Sequence, residues 1–313
     1  MHKATTLKTQ RRSLSLPLRW RPGFEFFAFA TVLLTYGLIV LGGAVRATDS
    51  GTACPDWPLC HGQAIPRLEG HVLVEYSHRL VASIVGVLIF ALAVWAWRRN
   101  RDDRLVGRAA LFAVTLLVAQ VLVGAATVNT ETEASVVALH LSIALTLFAT
   151  LIVLAVASSG PRILAAGSLP VLPVVVAIGT FALIIVGAYV SQEGAGLVYP
   201  DWPLFDGKLI SSGGRLADLH YAHRLLAAGL GVLMVVLAVR TWRRGAPPVV
   251  SIAVGVALLL YCAQVLVGAA NIWFELATSL RISHLALASA LWGVLVFAAA
   301  WSLLRPGPSR ELP

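Results

Sequence analysis

Eight apolar runs dominate the chain, over residues 24–45, 72–97, 106–128, 135–157, 169–191, 218–241, 249–272 and 279–304, separated by Arg-rich or Gly/Pro-rich breaks. Each run has about 20 residues or more, enough to cross a hydrocarbon layer ~30 Å thick as a helix. The pattern therefore predicts an all-α polytopic membrane protein. With 58% hydrophobic and 12% charged residues in 313, the composition excludes ordinary water-soluble classes. Lys3, Lys8, Arg11, Arg12, Arg19 and Arg21 precede the first run, which is too long for a signal-peptide core and lacks a small-residue cleavage site. It reads as a retained helix.

Charge then orients the spans. With the N-terminus inside, one set of connections collects Arg98, Arg99, Arg101, Arg104, Arg108, Arg162, Arg240, Arg243, Arg244, Arg305 and Arg310. The opposite set holds most acids: Asp49, Asp56, Glu69, Glu131, Glu133, Glu193, Asp201, Asp206, Asp218 and Glu275. Both termini are expected in the cytoplasm, because cations remain on that side. The net charge of +9 thus reports topology and an anionic membrane surface, with no sign of a nucleic-acid partner.

The chain also repeats itself. PDWPL at 55–59 recurs at 200–204, a shift of 145, and QVLVGAA at 120–126 recurs at 264–270, a shift of 144. Four runs precede the midpoint and four follow, so the repeat is parallel. The expectation is two pseudo-symmetric, tandem four-helix bundles, 24–157 and 169–304. Around them lie an N-terminal segment at 1–23, a linker at 158–168 and a tail at 305–313, all cytoplasmic.

Histidines recur with the repeat. His78 and His140 lie about 8–10 Å below the heads of the second and fourth runs, and His223 and His284 repeat them in the sixth and eighth. A lone membrane histidine is ordinarily a packing residue, but four at repeat-related, depth-matched positions point to ligands. Pairs facing each other across a bundle suit the axial positions of an iron porphyrin. Zinc would need a tighter set of nitrogen or sulfur donors. Arg79 and Arg224, each following a histidine, are placed either to hold propionates or to snorkel to the interface.

The two copies differ in informative ways. EYSHR at 75–79 carries Glu75, one turn before His78, where HYAHR at 220–224 carries His220. An ionisable side chain at this depth is a functional candidate, as general base or electrostatic stabiliser, against the alternative of a hydrated interfacial carboxylate. The loop CPDWPLC pairs Cys54 with Cys60, where the copy has Tyr199 and Phe205. On an oxidising face such a pair suggests a disulfide, either structural or exchanging with a redox partner. Cys262, inside the seventh run, reads as a buried apolar residue. Trp57 and Trp202 read as interfacial aromatics or covers of a heme edge, His61 and His71 as solvated loop residues, and Gln120 and Gln264 as bridges between helices.

GGAVRATDSGTACPDWPLCHGQ at 42–63, together with EYSHR, resembles the heme A synthase family, and the likeness extends over nearly the whole chain. The resemblance implies a heme-dependent membrane oxidoreductase that oxidises a methyl group of heme O stepwise to a formyl group, giving heme A for a terminal oxidase. It implies that His78 and His140 flank the substrate heme and that His223 and His284 ligate a retained heme b. Glu75 matches the family's essential carboxylate, and Cys54 and Cys60 its loop cysteines. It also implies heme sites toward the outer face, a farnesyltransferase that supplies heme O, and an electron-transfer partner that the sequence does not identify; homo-oligomerisation stays open. The chain departs from the family in lacking a second cysteine pair between helices five and six. A competing reading is a di-heme electron carrier of the cytochrome b type. A secondary transporter draws support from the repeat alone.

Overall fold

The computed structural model describes residues 23–99, 103–160, 171–211 and 213–305. The N-terminal cations, Arg101, Arg162, Arg310 and most of the 158–168 linker lie outside them. Within the described residues the chain forms α1 (Phe24–Ala47), α2 (Gly70–Arg99), α3 (Arg104–Asn129), α4 (Ala134–Ser158), α5 (Val171–Gln192), α6 (Arg215–Arg243), α7 (Pro248–Trp273) and α8 (Thr278–Leu304). All eight are long and apolar enough to cross a membrane, and a helix is the element that pairs its own backbone where lipid offers no partner.

The helices outrun the apolar stretches at their polar ends, α2 starting at Gly70 and α6 at Arg215. Apolarity marks only the part that crosses lipid, whereas backbone hydrogen bonding continues until a cap or turn stops it. At α3 that cap is Asp103, whose carboxylate accepts the Leu105 and Val106 amides at 3.1 Å each.

Within each half the helices close a ring. α1 packs on α2 and α4, and α3 completes the circuit; α5, α6, α7 and α8 do the same. The halves meet where α8 packs on α1 and α4, and α4 on α5. α8 is therefore the most enclosed of the eight spans. Trp292 of α8 donates its indole N–H to the Ala177 carbonyl at 2.9 Å and packs against Phe148 of α4 and Phe181 of α5. Tyr36 of α1 reaches the Ala286 carbonyl at 3.2 Å.

Because successive helices alternate in direction, the α1–α2, α3–α4, α5–α6 and α7–α8 connections share one end of the molecule. That end carries the ten acids named above, and Arg98, Arg104, Arg108, Arg240, Arg243, Arg244 and Arg305 gather at the other.

Candidate functional site

The four histidines enter from the acidic end. His78 and His223 each stand eight residues beyond the first residue of their helix, and His140 and His284 each stand six beyond. At ~1.5 Å per residue these depths are about 12 Å and about 9 Å. The first pair lies deeper than the apolar runs indicated because α2 and α6 begin earlier. All four rings are half-buried. His78 and His140 stand on α2 and α4 of the first ring, and His223 and His284 on α6 and α8 of the second.

Each imidazole leans on a glycine of the preceding helix. A Cβ on Gly42 of α1 would lie 3.1 Å from His78 Cε1, and one on Gly187 of α5 would lie 3.0 Å from His223 Cε1. The corresponding distance is 3.2 Å for both Gly124 with His140 and Gly268 with His284. Any larger residue at these positions would push the ring away. Sequence reasoning missed these four glycines, although Gly124 and Gly268 lie inside the repeated QVLVGAA and Gly42 and Gly187 are 145 residues apart.

The loop above the first pair is built around Asp56. Its two carboxylate oxygens accept the His61 and Gly62 amides at 2.6 and 2.8 Å. Those residues are the left-handed centre of a two-residue turn, with φ of 53° and 71°, closed by reciprocal bonds between Cys60 and Gln63. Asp201 does the same for Asp206 and Gly207, at 2.7 and 2.9 Å. The Gly62 amide, aided by that of His61, holds the Asp56 carboxyl below the usual Asp range, and the Gly207 and Asp206 amides do so for Asp201. The aspartate of PDWPL is thus a turn-holding residue in both halves. Trp57 and Trp202 are partly exposed beside it, and Trp202 meets Trp273 edge-to-face.

Arg79 clasps this loop to α2. Its Nη1 donates to the Asp56 and Leu59 carbonyls at 2.8 and 2.9 Å, and its Nη2 to the Cys54 carbonyl at 2.9 Å and to Glu75 Oε1 at 2.5 Å. The other Glu75 oxygen accepts the Cys54 amide at 2.7 Å. Glu75 is only 4% exposed, so it is a buried, paired carboxylate and not a hydrated interfacial one. Cys54 and Cys60 form a disulfide that closes the same loop.

The second half keeps the clasp and changes what it grips. Arg224 Nη1 donates to the Asp201 and Leu204 carbonyls at 2.9 and 2.8 Å, and Nη2 to that of Tyr199 at 3.4 Å. Its Nε donates to His220 Nε2 at 3.1 Å. His220, 5% exposed, therefore occupies the place of Glu75, and Tyr199 stacked edge-to-face on Phe205 occupies that of the disulfide.

Among the described residues, no three His, Cys, Asp or Glu side chains converge as a site for a bare metal ion. The histidines stand in pairs, and the Nδ1 atoms of His78, His223 and His284 are buried without a hydrogen-bond partner. Imidazoles on α2 and α4 and on α6 and α8, each backed by a glycine, are a donor set that suits an iron porphyrin. With its side-chain amide turned over, Gln120 of α3 reaches His140 and Ala144 of α4. Cys262 is exposed on α7 and not buried as the sequence suggested; an apolar run does not reveal which side faces lipid. His71 is exposed but anchors Ser50 at 2.9 Å, and exposed His61 meets the Ala53 carbonyl at 2.9 Å.

Known proteins share this arrangement of sequence. The heme A synthase of Symbiobacterium thermophilum is 33% identical over 285 residues, covering 83% of this chain and 89% of its own length. That of Shouchella clausii is 32% identical over 292 residues, covering 88% and 95%. That of Geobacillus kaustophilus is 30% identical over 285 residues, covering 87% and 89%. The COX15-CtaA profile, described as cytochrome oxidase assembly protein, matches residues 25–73 and 68–296, which takes in both clasped loops and all four histidines. The chain belongs to the COX15-CtaA family.

Proposed function

We propose that this protein is a heme A synthase, oxidising a methyl group of heme O stepwise to a formyl group and so supplying heme A for a terminal oxidase. The observation that carries the reading is Glu75, buried one turn from His78 and held on both oxygens, in one half only. His78 and His140 flank the substrate heme, and His223 and His284 ligate a retained heme b. When bound, the hemes supply the redox-active iron and, in the first half, the methyl group to be oxidised.

The chain's own residues position and polarise. Arg79 Nη2 and the Cys54 amide hold the two oxygens of Glu75, so that carboxylate is fixed one turn from the first histidine. It stabilises positive charge as it stands, and accepts a proton only by giving up one of those two contacts. Arg79 and Arg224 are the cations for propionates. Arg79 commits all four terminal N–H groups to the loop and Glu75, leaving Nε–H for a propionate, and Arg224 retains one Nη2–H.

The heme sites lie toward the outer face, with both termini cytoplasmic. The division of acids and cations between the two ends and a disulfide, which persists in oxidising compartments, both support this orientation. A farnesyltransferase delivers heme O, and an electron partner completes the oxidation. Equal histidine pairs also suit a di-heme carrier, but the carboxylate and disulfide of the first half have no use there. Expression in a host that makes heme O, followed by chromatography of extracted hemes, should yield hydroxylated and formyl derivatives. Heme O persisting unchanged beside fully inserted protein would refute the reading.

A further inference from the structure

The halves meet at two repeat-related junctions near the acidic end, and they differ in charge. Where α1 meets α8, Arg281 of α8 donates from Nη1 to the Ala47 carbonyl of α1 at 3.0 Å, beside Arg46. Where α5 meets α4, the equivalent positions are Ser191, 145 residues after Arg46, and Val137, 144 residues before Arg281. There Gln192 Nε2 donates to the Thr132 carbonyl at 3.0 Å. A neutral amide therefore suffices to tie the halves together, and the two guanidiniums need another reason.

Their heights supply one. Gly42 of α1 is level with the His78 ring, 3.1 Å from Cε1 if given a Cβ, and Arg46 lies four residues further toward the acidic end, about 6 Å higher. Arg281 precedes His284 by three residues on α8, which places it about 4.5 Å nearer the same end. Gly43 lets the two helices touch there, since a Cβ on it would lie 2.8 Å from Leu285 Cδ2, on the residue after His284. A heme at either histidine pair turns its propionates toward the end where water lies, because an ionised carboxylate in hydrocarbon is costly. The arginines stand at that level. Nor is Arg46 firmly engaged. Its Nη1 donates to Asp49 at 2.8 Å, but that carboxylate is 75% exposed and such a pair contributes little. Arg46 Nε is buried without a hydrogen-bond partner.

Resting on the reading of the two histidine pairs as heme sites, we propose that the α1–α8 junction is an oxyanion site for heme propionates. Arg46 serves the first-half heme and Arg281 the retained heme. Arg46 exchanges the exposed Asp49 for a propionate, which satisfies its buried Nε–H. Arg281 keeps one Nη1–H on the Ala47 carbonyl and offers its remaining N–H groups. Each heme thereby gains a cation besides Arg79 or Arg224, and both present a charged edge to the seam between the halves.

The test uses the purified full-length protein carrying its retained heme, in detergent without added lipid. Hemin and hemin dimethyl ester, whose propionates cannot ionise, are titrated into the first site and followed by difference absorption. Arg46→Gln should weaken hemin binding about tenfold, the effect of about one charge-assisted hydrogen bond, and leave ester binding unchanged. Arg46→Lys should restore part of the hemin affinity. Arg281→Gln can still donate to the Ala47 carbonyl but lacks the charge. It should lower the midpoint potential of the retained heme, since a nearby cation favours reduced iron, while the absorption spectrum stays the same and reports an intact fold. Equal losses for hemin and its ester in Arg46→Gln, or no loss, overturn the proposal, as does an unchanged potential in Arg281→Gln. Effects that appear only after phosphatidylglycerol is added assign the oxyanion to a lipid headgroup and overturn it as well. Hemin binding that His78→Ala leaves untouched removes the first heme site itself, and the reading beneath the proposal falls with it.

Discussion

The two clasped loops have the same skeleton and different contents. Each has an aspartate holding a two-residue turn and an arginine gripping loop carbonyls from one turn below. In the first half that arginine also pairs with Glu75, and a disulfide closes the loop. In the second it meets His220, and Tyr199 with Phe205 replaces the disulfide. The shared parts are what any such loop over a histidine pair needs to keep its shape. The unshared parts place charge and redox-capable sulfur in one half only, which is where chemistry is expected.

The comparison breaks most visibly at the second histidine pair. His223→Ala or His284→Ala should abolish the heme b spectrum, whereas His220→Ala, which removes a partner of Arg224, should keep it. Absorption spectra of the purified variants decide this, and a heme lost only in His220→Ala would reverse the assignment.

A smaller effect is expected at the glycine seats. Gly187→Ala should displace His223 and shift the retained heme's spectrum and midpoint potential, because the new Cβ would lie 3.0 Å from Cε1. Gly229→Ala, with nothing within 4 Å, should shift neither. Identical spectra from the two variants would show that the glycine contact does not set the ring's position.

Weaker still is the disulfide. Replacing both Cys54 and Cys60 by Ala should cost the first loop about 2 kcal/mol, a short-loop value, and leave the second loop untouched. Limited proteolysis of the two loops checks the asymmetry; equal protection in both would contradict it. The smallest effect is acid loosening of both turns together. Asp56 and Asp201 are held below the ordinary value of 3.8 by backbone amides, so their contribution is complete above that value. It is lost as pH falls through the lower folded value. Exchange rates of the Gly62 and Gly207 amides should rise together below it, and if only one loop responds, the shared skeleton is not equivalent.

Much of this was legible in the sequence. Helices announce themselves by long apolar runs, and the repeat exposed the histidines because copies 144 and 145 residues apart act as mutual controls. Glu75 and the cysteines stood out as differences between those copies. The glycine seats were not legible, since a glycine in a membrane helix has many uses and only tertiary geometry shows that four of them meet Cε1 of a histidine. The true role of PDWPL was hidden for the same reason. An aspartate holding a turn looks like any loop acid until its amide partners, five and six residues onward, are seen.

The central claim is that the first half performs the oxidation and the second half keeps the cofactor. Glu75→Ala, expressed where heme O is made, tests it most directly through chromatography of extracted hemes. The account predicts retained heme b, accumulated heme O, and conversion to heme A reduced by about 10²-fold or more. Undiminished heme A, or loss of heme b from the same variant, would contradict it.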